Sequence, residues 1–213
     1  MIVKERRSIV MAKLYFHYST MNAGKSTMLL QASHNYRERQ MNTLLFIAQL
    51  DDRAGTGSIG SRIGLGEDAL TFSTGDDLRA TVLDVHTNKT IHCVYVDEAQ
   101  FLSEEQDWQL ARLADRDGIP VMAYGLRTDF QGKLFPGSQA LLAIADELRE
   151  VRTICRCGRR ANMVVRVGED GKVVREGDQI AIGGNDRYVS LCRKHWEEEM
   201  GRVEGEDLVG FVG

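Results

Sequence analysis

Residues 19–26 read STMNAGKS, in which Gly24, Lys25 and Ser26 close a G-x-x-x-x-G-K-[ST] spacing and Ser19 stands where its first glycine would be. The chemistry open to such a run is phosphate binding. Backbone N–H groups from Ser19 through Thr20, Met21, Asn22 and Ala23 to Gly24 wrap phosphate oxygens, and a helix beginning there adds positive potential. Gly24 permits close backbone approach, Lys25 reaches the β- and γ-phosphates, and Ser26 offers a hydroxyl to Mg²⁺. Serine suits position 19 where φ is negative; it lacks only glycine's freedom at positive φ.

A second constellation is Val94-Tyr95-Val96-Asp97-Glu98, an apolar run that ends in two carboxylates. In an open α/β sheet the C-terminal strand edge is where ligands bind, so Asp97 is placed to hold Mg²⁺ beside Ser26, directly or through water. Adjacent strand residues face opposite sides, which leaves Glu98 to turn toward a second substrate once the strand ends. Each feature alone has a bland form, a chance GKST at a helix start or a pair of solvated carboxylates. Both together, each at a strand end, point to nucleotide-phosphate chemistry.

The third set is Cys155-x-Cys157 and Cys192-x-x-His195. Three thiolates and an imidazole fill a tetrahedral zinc and leave no open position for a catalytic water, so the expected metal is structural. The first pair is one residue shorter than the usual C-x₂₋₄-C knuckle, and reduced surface thiols beside an unrelated histidine are the alternative. Cys93 reads as a small buried hydrophobe. His17, His34, His86 and His92 occur singly and are assigned to packing or solvated surface.

These groups need strands and helices to aim them. Lys13–Tyr18 is expected to be a buried strand, followed by the glycine turn and a helix to about Tyr36 with Met28, Leu29, Leu30 and Ala32 on its apolar face. Further strands are expected at Thr43–Leu50, Ile91–Val96 and Ile119–Tyr124. Helices are expected at Ser103–Ala114, with Ser103 and Gln106 as a capping box, and at Ser138–Leu148. The Gly- and Ser-rich stretch Ala54–Glu67 reads as a long loop of the kind that serves as a lid. Strands alternating with helices over residues 11–150 indicate an α/β domain with a mostly parallel sheet. Short alternating runs at Met163–Val167, Lys172–Arg175 and Arg187–Leu191 make residues 151–200 a small β-rich appendage carrying the metal set. Residues 1–10 read as an N-terminal extension and 201–213 as a frayed tail.

Composition narrows the function classes. The 213 residues carry 27 Lys and Arg against 31 Asp and Glu, a formal charge of −4, which weighs against a general nucleic-acid binder. No apolar run approaches the roughly 18–20 residues that span a bilayer, and the basic opening MIVKERRSIV is not followed by a signal-peptide core. A soluble, cytoplasmic protein acting without nucleic acid or membrane is expected.

The ordered combination STMNAGKST, VDEAQFL, YGLRTDFQGKLF, Cys155/Cys157/Cys192/His195 and IGGNDRYVSLC resembles the thymidine kinases of the cellular, zinc-containing type (type II), particularly bacterial members, from Met11 to about Met200. The resemblance implies a P-loop core of RecA-like type with a zinc-binding lasso domain. It implies transfer of the ATP γ-phosphoryl group to thymidine's 5′-hydroxyl with Mg²⁺, homotetramer assembly and feedback inhibition by dTTP. By position it makes Glu98 the catalytic base, assigns Ser19–Ser26, Asp97 and Gln100 to ATP, and puts Arg53 and Arg62 at the phosphates or the flexible loop. It also puts Phe101, Leu126, Phe130, Phe135, Ile182, Gly183, Gly184 and Tyr188 around the nucleoside, although core packing is the plain reading of the phenylalanines. The competing reading takes DEAQ as a helicase-type DExx box, hence an ATPase acting on nucleic acid; 213 residues leave little room for a helicase's second core domain.

Overall fold

Apolar strands alternating with helices in the middle of the chain dictate a sheet buried on both sides. In the computed structural model, residues 12–49, 57–61, 63–179 and 187–202 are described, and they divide into two compact units. The expected extension 1–10 and the tail from 203 lie outside these residues, as do Arg53, Arg62, Ile182, Gly183 and Gly184.

The first unit comprises the described residues up to Tyr18 with Gly24–Arg127 and Leu134–Val151. Its strands are β1 (Leu14–Ser19), β2 (Thr43–Ala48), β3 (Ser58–Gly60), β4 (Gly66–Asp68), β5 (Leu70–Phe72), β6 (Cys93–Asp97), β7 (Val121–Leu126) and β8 (Glu147–Glu150). Its helices are α1 (Lys25–Arg37), α2 (Leu78–Asn88), α3 (Glu104–Asp115) and α4 (Pro136–Ile144), with a 3₁₀ turn at Ala99–Phe101. Six strands form one sheet in the order β5-β2-β6-β7-β1-β8, and β1/β8, β2/β5, β2/β6 and β6/β7 pair in parallel.

The pleat sorts alternate residues to opposite faces. Leu45 and Ile47 of β2, Cys93 and Tyr95 of β6 and Tyr124 of β7 pack with Leu29 and Leu30 of α1. Phe46, Ala48, Val94, Val96, Val121 and Ala123 pack instead with Val82 of α2, Leu110 and Leu113 of α3 and Leu141 of α4. Both faces are therefore dry, which is why the strands read as continuous apolar runs. Cys93 lies in this core, and burial pushes its thiol up to about 12. His17 stacks on Tyr124 with centroids 4.4 Å apart, and burial holds its imidazole down at about 4.

Ser103 caps α3 as expected: its hydroxyl accepts from the Gln106 N–H at 3.4 Å while its own N–H donates to Gln106 Oε1 at 3.1 Å. Several elements differ from expectation, strand β5 among them. Within Ala54–Glu67, residues 58–60 and 66–68 pair as an antiparallel hairpin, because Ile59 is drawn into the α1 core and Glu67 meets Arg37 and the Ser33 hydroxyl. The helix expected at Ser138–Leu148 stops at Ile144. Asp146 then bonds the Leu14 backbone on both sides, its N–H donating to Leu14 O at 2.9 Å and its carboxylate accepting from Leu14 N at 2.8 Å, so Glu147–Glu150 joins the sheet. The charges of this strand protect an exposed sheet edge and make it read as helix surface. Helix α2, capped by the Asp77 carboxylate on Ala80 N, was not expected.

Asp107 of α3 is fully buried, and neither carboxylate oxygen has a hydrogen-bond partner among the described residues. Burial, aided by Glu104, pushes its carboxyl up to about 8. The folded state thus favours the neutral acid, and the stability this side chain allows is full below the unfolded value near 4 and is lost as pH rises toward 8. Asp107→Leu, of the same shape, is expected to raise the stability at pH 7–8 by about 1–3 kcal/mol, the usual cost of an unmet buried polar group. The gain should shrink toward pH 4 in urea titrations; a pH-independent difference would contradict it.

The second unit comprises Ser19–Ala23, Thr128–Lys133 and the described residues from Arg152 onward. It contains β9 (Thr153–Ile154), β10 (Arg160–Ala161), β11 (Met163–Val167), β12 (Val173–Val174), β13 (Tyr188–Leu191) and α5 (Arg193–Glu199). The three alternating runs form β11, β12 and β13, with β11 pairing antiparallel to the other two, whereas the antiparallel pair of β9 and β10 was not expected. Its core is small: Cys155, Ala161, Val165, Leu191, Cys192, Trp196 and Met200. The Trp196 indole N–H donates to the carbonyls of Phe130 and Val164, both at 3.0 Å.

Candidate active site

Strand β1 ends at Ser19, which keeps its φ out of the left-handed region, so the missing glycine costs nothing in backbone strain. The turn after it needs left-handed residues at Asn22 (φ 61°) and Gly24 (φ 87°). Asparagine tolerates that conformation and glycine adopts it freely. Helix α1 begins immediately at Lys25, whose side chain is buried, and no acidic residue occupies its first turn. The N–H groups at this helix start have no intrahelical partners, which suits an anion.

Pleat parity places Asp97. It shares a face with Cys93 and Tyr95, the face covered by α1, and its Oδ2 accepts from the Ser26 hydroxyl at 2.7 Å. The hydroxyl and carboxylate oxygens are hard donors of the kind Mg²⁺ selects. Burial and then the Glu98 charge push the Asp97 carboxyl above the usual carboxylate range, against the opposing pull of Ser26, the Glu98 N–H and Lys25.

Glu98 breaks the strand. Its backbone is left-handed, φ 53° and ψ 38°, an unusual conformation for a glutamate and the kind of strain found at functional positions. This turn starts the 3₁₀ segment and takes the Glu98 side chain out of strand alternation. Gln100 then bridges two strand ends: its Nε2 donates to Glu98 Oε2 at 2.5 Å and its Oε1 accepts from Leu126 N at 2.9 Å. The amide expected at the nucleotide is therefore also the clamp on the Glu98 carboxylate. Ser138, which the sequence did not mark, donates to the Leu126 carbonyl at 2.5 Å. Beside it, Gly137 admits no side chain, since a Cβ there would lie 2.7 Å from the Ala99 carbonyl oxygen.

The aromatic positions fall into separate settings. Phe101 and Phe135 meet edge to face, 6.0 Å apart at 83°, and Leu126 is tied to Gln100 and Ser138. In the second unit Phe130 is buried, with the Arg166 guanidinium 4.1 Å over its ring, and Arg166 also donates to the Asp178 carbonyl at 2.9 Å. Tyr188 opens β13 and its carbonyl accepts from the Asn22 amide at 3.5 Å.

The cysteine–histidine set converges. One ligand atom from each of Cys155, Cys157, Cys192 and His195 lies within 4.8 Å of all the others. Cys155 Sγ is 3.1 Å from His195 Nδ1, and Cys157 Sγ is 3.9 Å from Cys192 Sγ. A tetrahedral ion with Zn–S bonds of about 2.3 Å separates its sulfurs by roughly 3.8 Å, so the donor set fits zinc. Burial opposes ionisation of Cys155, but the His195 ring and the backbone N–H groups of Cys157 and Cys192 outweigh it and bring the thiol down to about 6. Among the described residues no helix is long and apolar enough to cross a membrane.

Comparison with known proteins adds to this geometry. A family model described as thymidine kinase matches residues 12–196. The thymidine kinase of Mesorhizobium japonicum is 69% identical over 202 residues, covering 95% of this chain and 99% of that protein. That of Agrobacterium fabrum is 66% identical over 188 residues, covering 88% and 97%. Among solved structures, the Pif1 helicase of Candida albicans aligns with a TM-score of 0.40 at 13% identity over 71% of this chain and 40% of that one, a likeness too low to bear on function.

Proposed function

The chain belongs to the thymidine kinase family, and from that premise we propose that it transfers the γ-phosphoryl group of ATP to the 5′-hydroxyl of thymidine, giving dTMP and ADP. The observation that carries this reading is the junction after β6: Asp97 bonded to Ser26 at the start of α1, and Glu98 turned out of the strand beside it. Glu98 accepts the proton of the attacking hydroxyl as the new O–P bond forms and the bond from phosphorus to the β-phosphate oxygen breaks. Gln100 aims the Glu98 carboxylate. Lys25 and the amides of residues 19–24 offset charge on the triphosphate. Mg²⁺, when bound, adds positive charge at the phosphates, and Ser26 and Asp97 are the residues that would hold it.

Phe101, Leu126, Phe130 and Phe135 are proposed to supply apolar groups for the base, with Tyr188 near it, and the backbone N–H and C=O groups around Ile182, Gly183 and Gly184 to read the thymine edge. Arg53 and Arg62 are proposed for the phosphates or the flexible loop. Zinc held by Cys155, Cys157, Cys192 and His195 would be structural, because all four positions of a tetrahedron are filled by protein. A homotetramer in the cytoplasm, inhibited by dTTP, completes the proposal.

The test is direct: γ-labelled ATP and Mg²⁺ with each deoxynucleoside in turn. Label should appear on the 5′ position of thymidine in preference to the purine nucleosides. Nucleic-acid-stimulated release of free phosphate with no nucleoside acceptor would overturn the reading and favour the helicase-like one.

A further inference from the structure

Ser190 has no assigned part in phosphate binding, yet its hydroxyl touches the phosphate loop. It lies 2.7 Å from the Met21 main-chain carbonyl oxygen and 3.0 Å from the Thr20 hydroxyl. A carbonyl can only accept, so the single hydroxyl proton of Ser190 goes to Met21 O. Two residues earlier in β13, the Tyr188 carbonyl accepts from the Asn22 side-chain amide at 3.5 Å, a second tie between this strand and the loop. Val165 and Leu191, in the small core of this unit, and the ladder to β11 at Val164 fix the strand that carries them.

The trans peptide unit is planar, with C=O and N–H pointing in opposite directions. Holding the Met21 carbonyl toward β13 therefore turns the Asn22 N–H away from it. Asn22 sits at φ 61°, a conformation that a rotation of this peptide would relieve. Such a rotation would also replace a donor with a carbonyl oxygen in the loop that faces phosphate. We propose that Ser190 is a positioning residue for the triphosphate: it locks the Met21–Asn22 peptide so that the Asn22 N–H stays presented to a phosphate oxygen. The proposal rests on reading residues 19–26 as the phosphate site, and is independent of which nucleoside is the acceptor.

The experiment is calorimetric titration of the full-length protein with Mg-ADP, no nucleoside present, for wild type, Ser190→Ala and Ser190→Thr. Loss of one such hydrogen bond should weaken ADP binding about 3–10-fold in Ser190→Ala. Ser190→Thr, which keeps the hydroxyl, should restore it. In turnover, the KM for ATP should rise by a similar factor in Ser190→Ala while kcat at saturating ATP stays within about twofold. Zinc content and melting temperature matching wild type are part of the expected result. Equal ADP affinity in wild type and Ser190→Ala overturns the proposal, as does a loss that Ser190→Thr fails to recover or one accompanied by lost zinc. Wild type that does not bind ADP at all overturns the phosphate-site reading, and the proposal with it.

Discussion

Glu98→Gln is expected to lower kcat by about 10²–10⁴-fold, the usual worth of a positioned proton acceptor, while Mg-ATP binding stays close to wild type. The substitution is nearly isosteric. The Gln100 Nε2 that donates to Glu98 Oε2 finds a carbonyl oxygen in its place, and the left-handed turn at residue 98 is a matter of backbone that glutamine tolerates about as well. What is lost is the capacity to take a proton. Steady-state turnover together with an equilibrium ATP titration separates this from a folding defect, since the phosphate loop and Ser26 are untouched. A variant that turns over like wild type would remove Glu98 from the mechanism.

The second large effect is expected at the four-ligand cluster. Cys155 and Cys192 are themselves part of the small apolar cluster among the described residues of the second unit, so this cluster is depleted if they do not hold a metal. Structural zinc contributes about 10–16 kcal/mol in small domains, comparable with the roughly 5–15 kcal/mol that holds an ordinary domain together. Cys155→Ser, or exhaustive chelation, is expected to abolish zinc binding and the protection of β11–β13 amides from hydrogen exchange. The sheet of the first unit should keep its protection. Because β13 also carries Ser190 and Tyr188, the KM for ATP and for thymidine should both rise. Metal analysis should find about one zinc per chain in wild type. A metal-free protein with protected β11–β13 amides and full activity would refute the assignment.

The placement of polar groups at strand ends was legible in the sequence because it depends on local order. A buried apolar run followed by GKS or by DE places its polar groups at a sheet edge wherever the fold takes them, and both runs behaved so. The Ser103 cap was legible for the same reason, its two partners being three residues apart. The hairpin at 58–68 was not: its buried anchor, Ile59, is surrounded by glycine and serine, and the partner that buries it is α1. Strand β8 was hidden by its own charges, and α2 by the absence of a marked apolar stripe. At the site, the carboxylate pair was visible but the left-handed turn of Glu98 was not, since nothing in the residue type demands it. The clamp by Gln100, the Ser138 support and the Ser190 bond join residues 2, 12 and 169 positions apart, and only the tertiary structure pairs them.

In the proposed reaction one carboxylate receives the proton of a nucleoside alcohol next to the Ser26–Asp97 pair. A crystal structure of the protein with Mg²⁺, a non-hydrolysable ATP analogue and thymidine measures this most directly. The 5′-oxygen should lie within about 3.2 Å of a Glu98 carboxylate oxygen, with the metal at the Ser26 hydroxyl and the phosphates against residues 19–25. A complex with the 5′-oxygen beyond hydrogen-bond reach of Glu98, and no water between them, would contradict it.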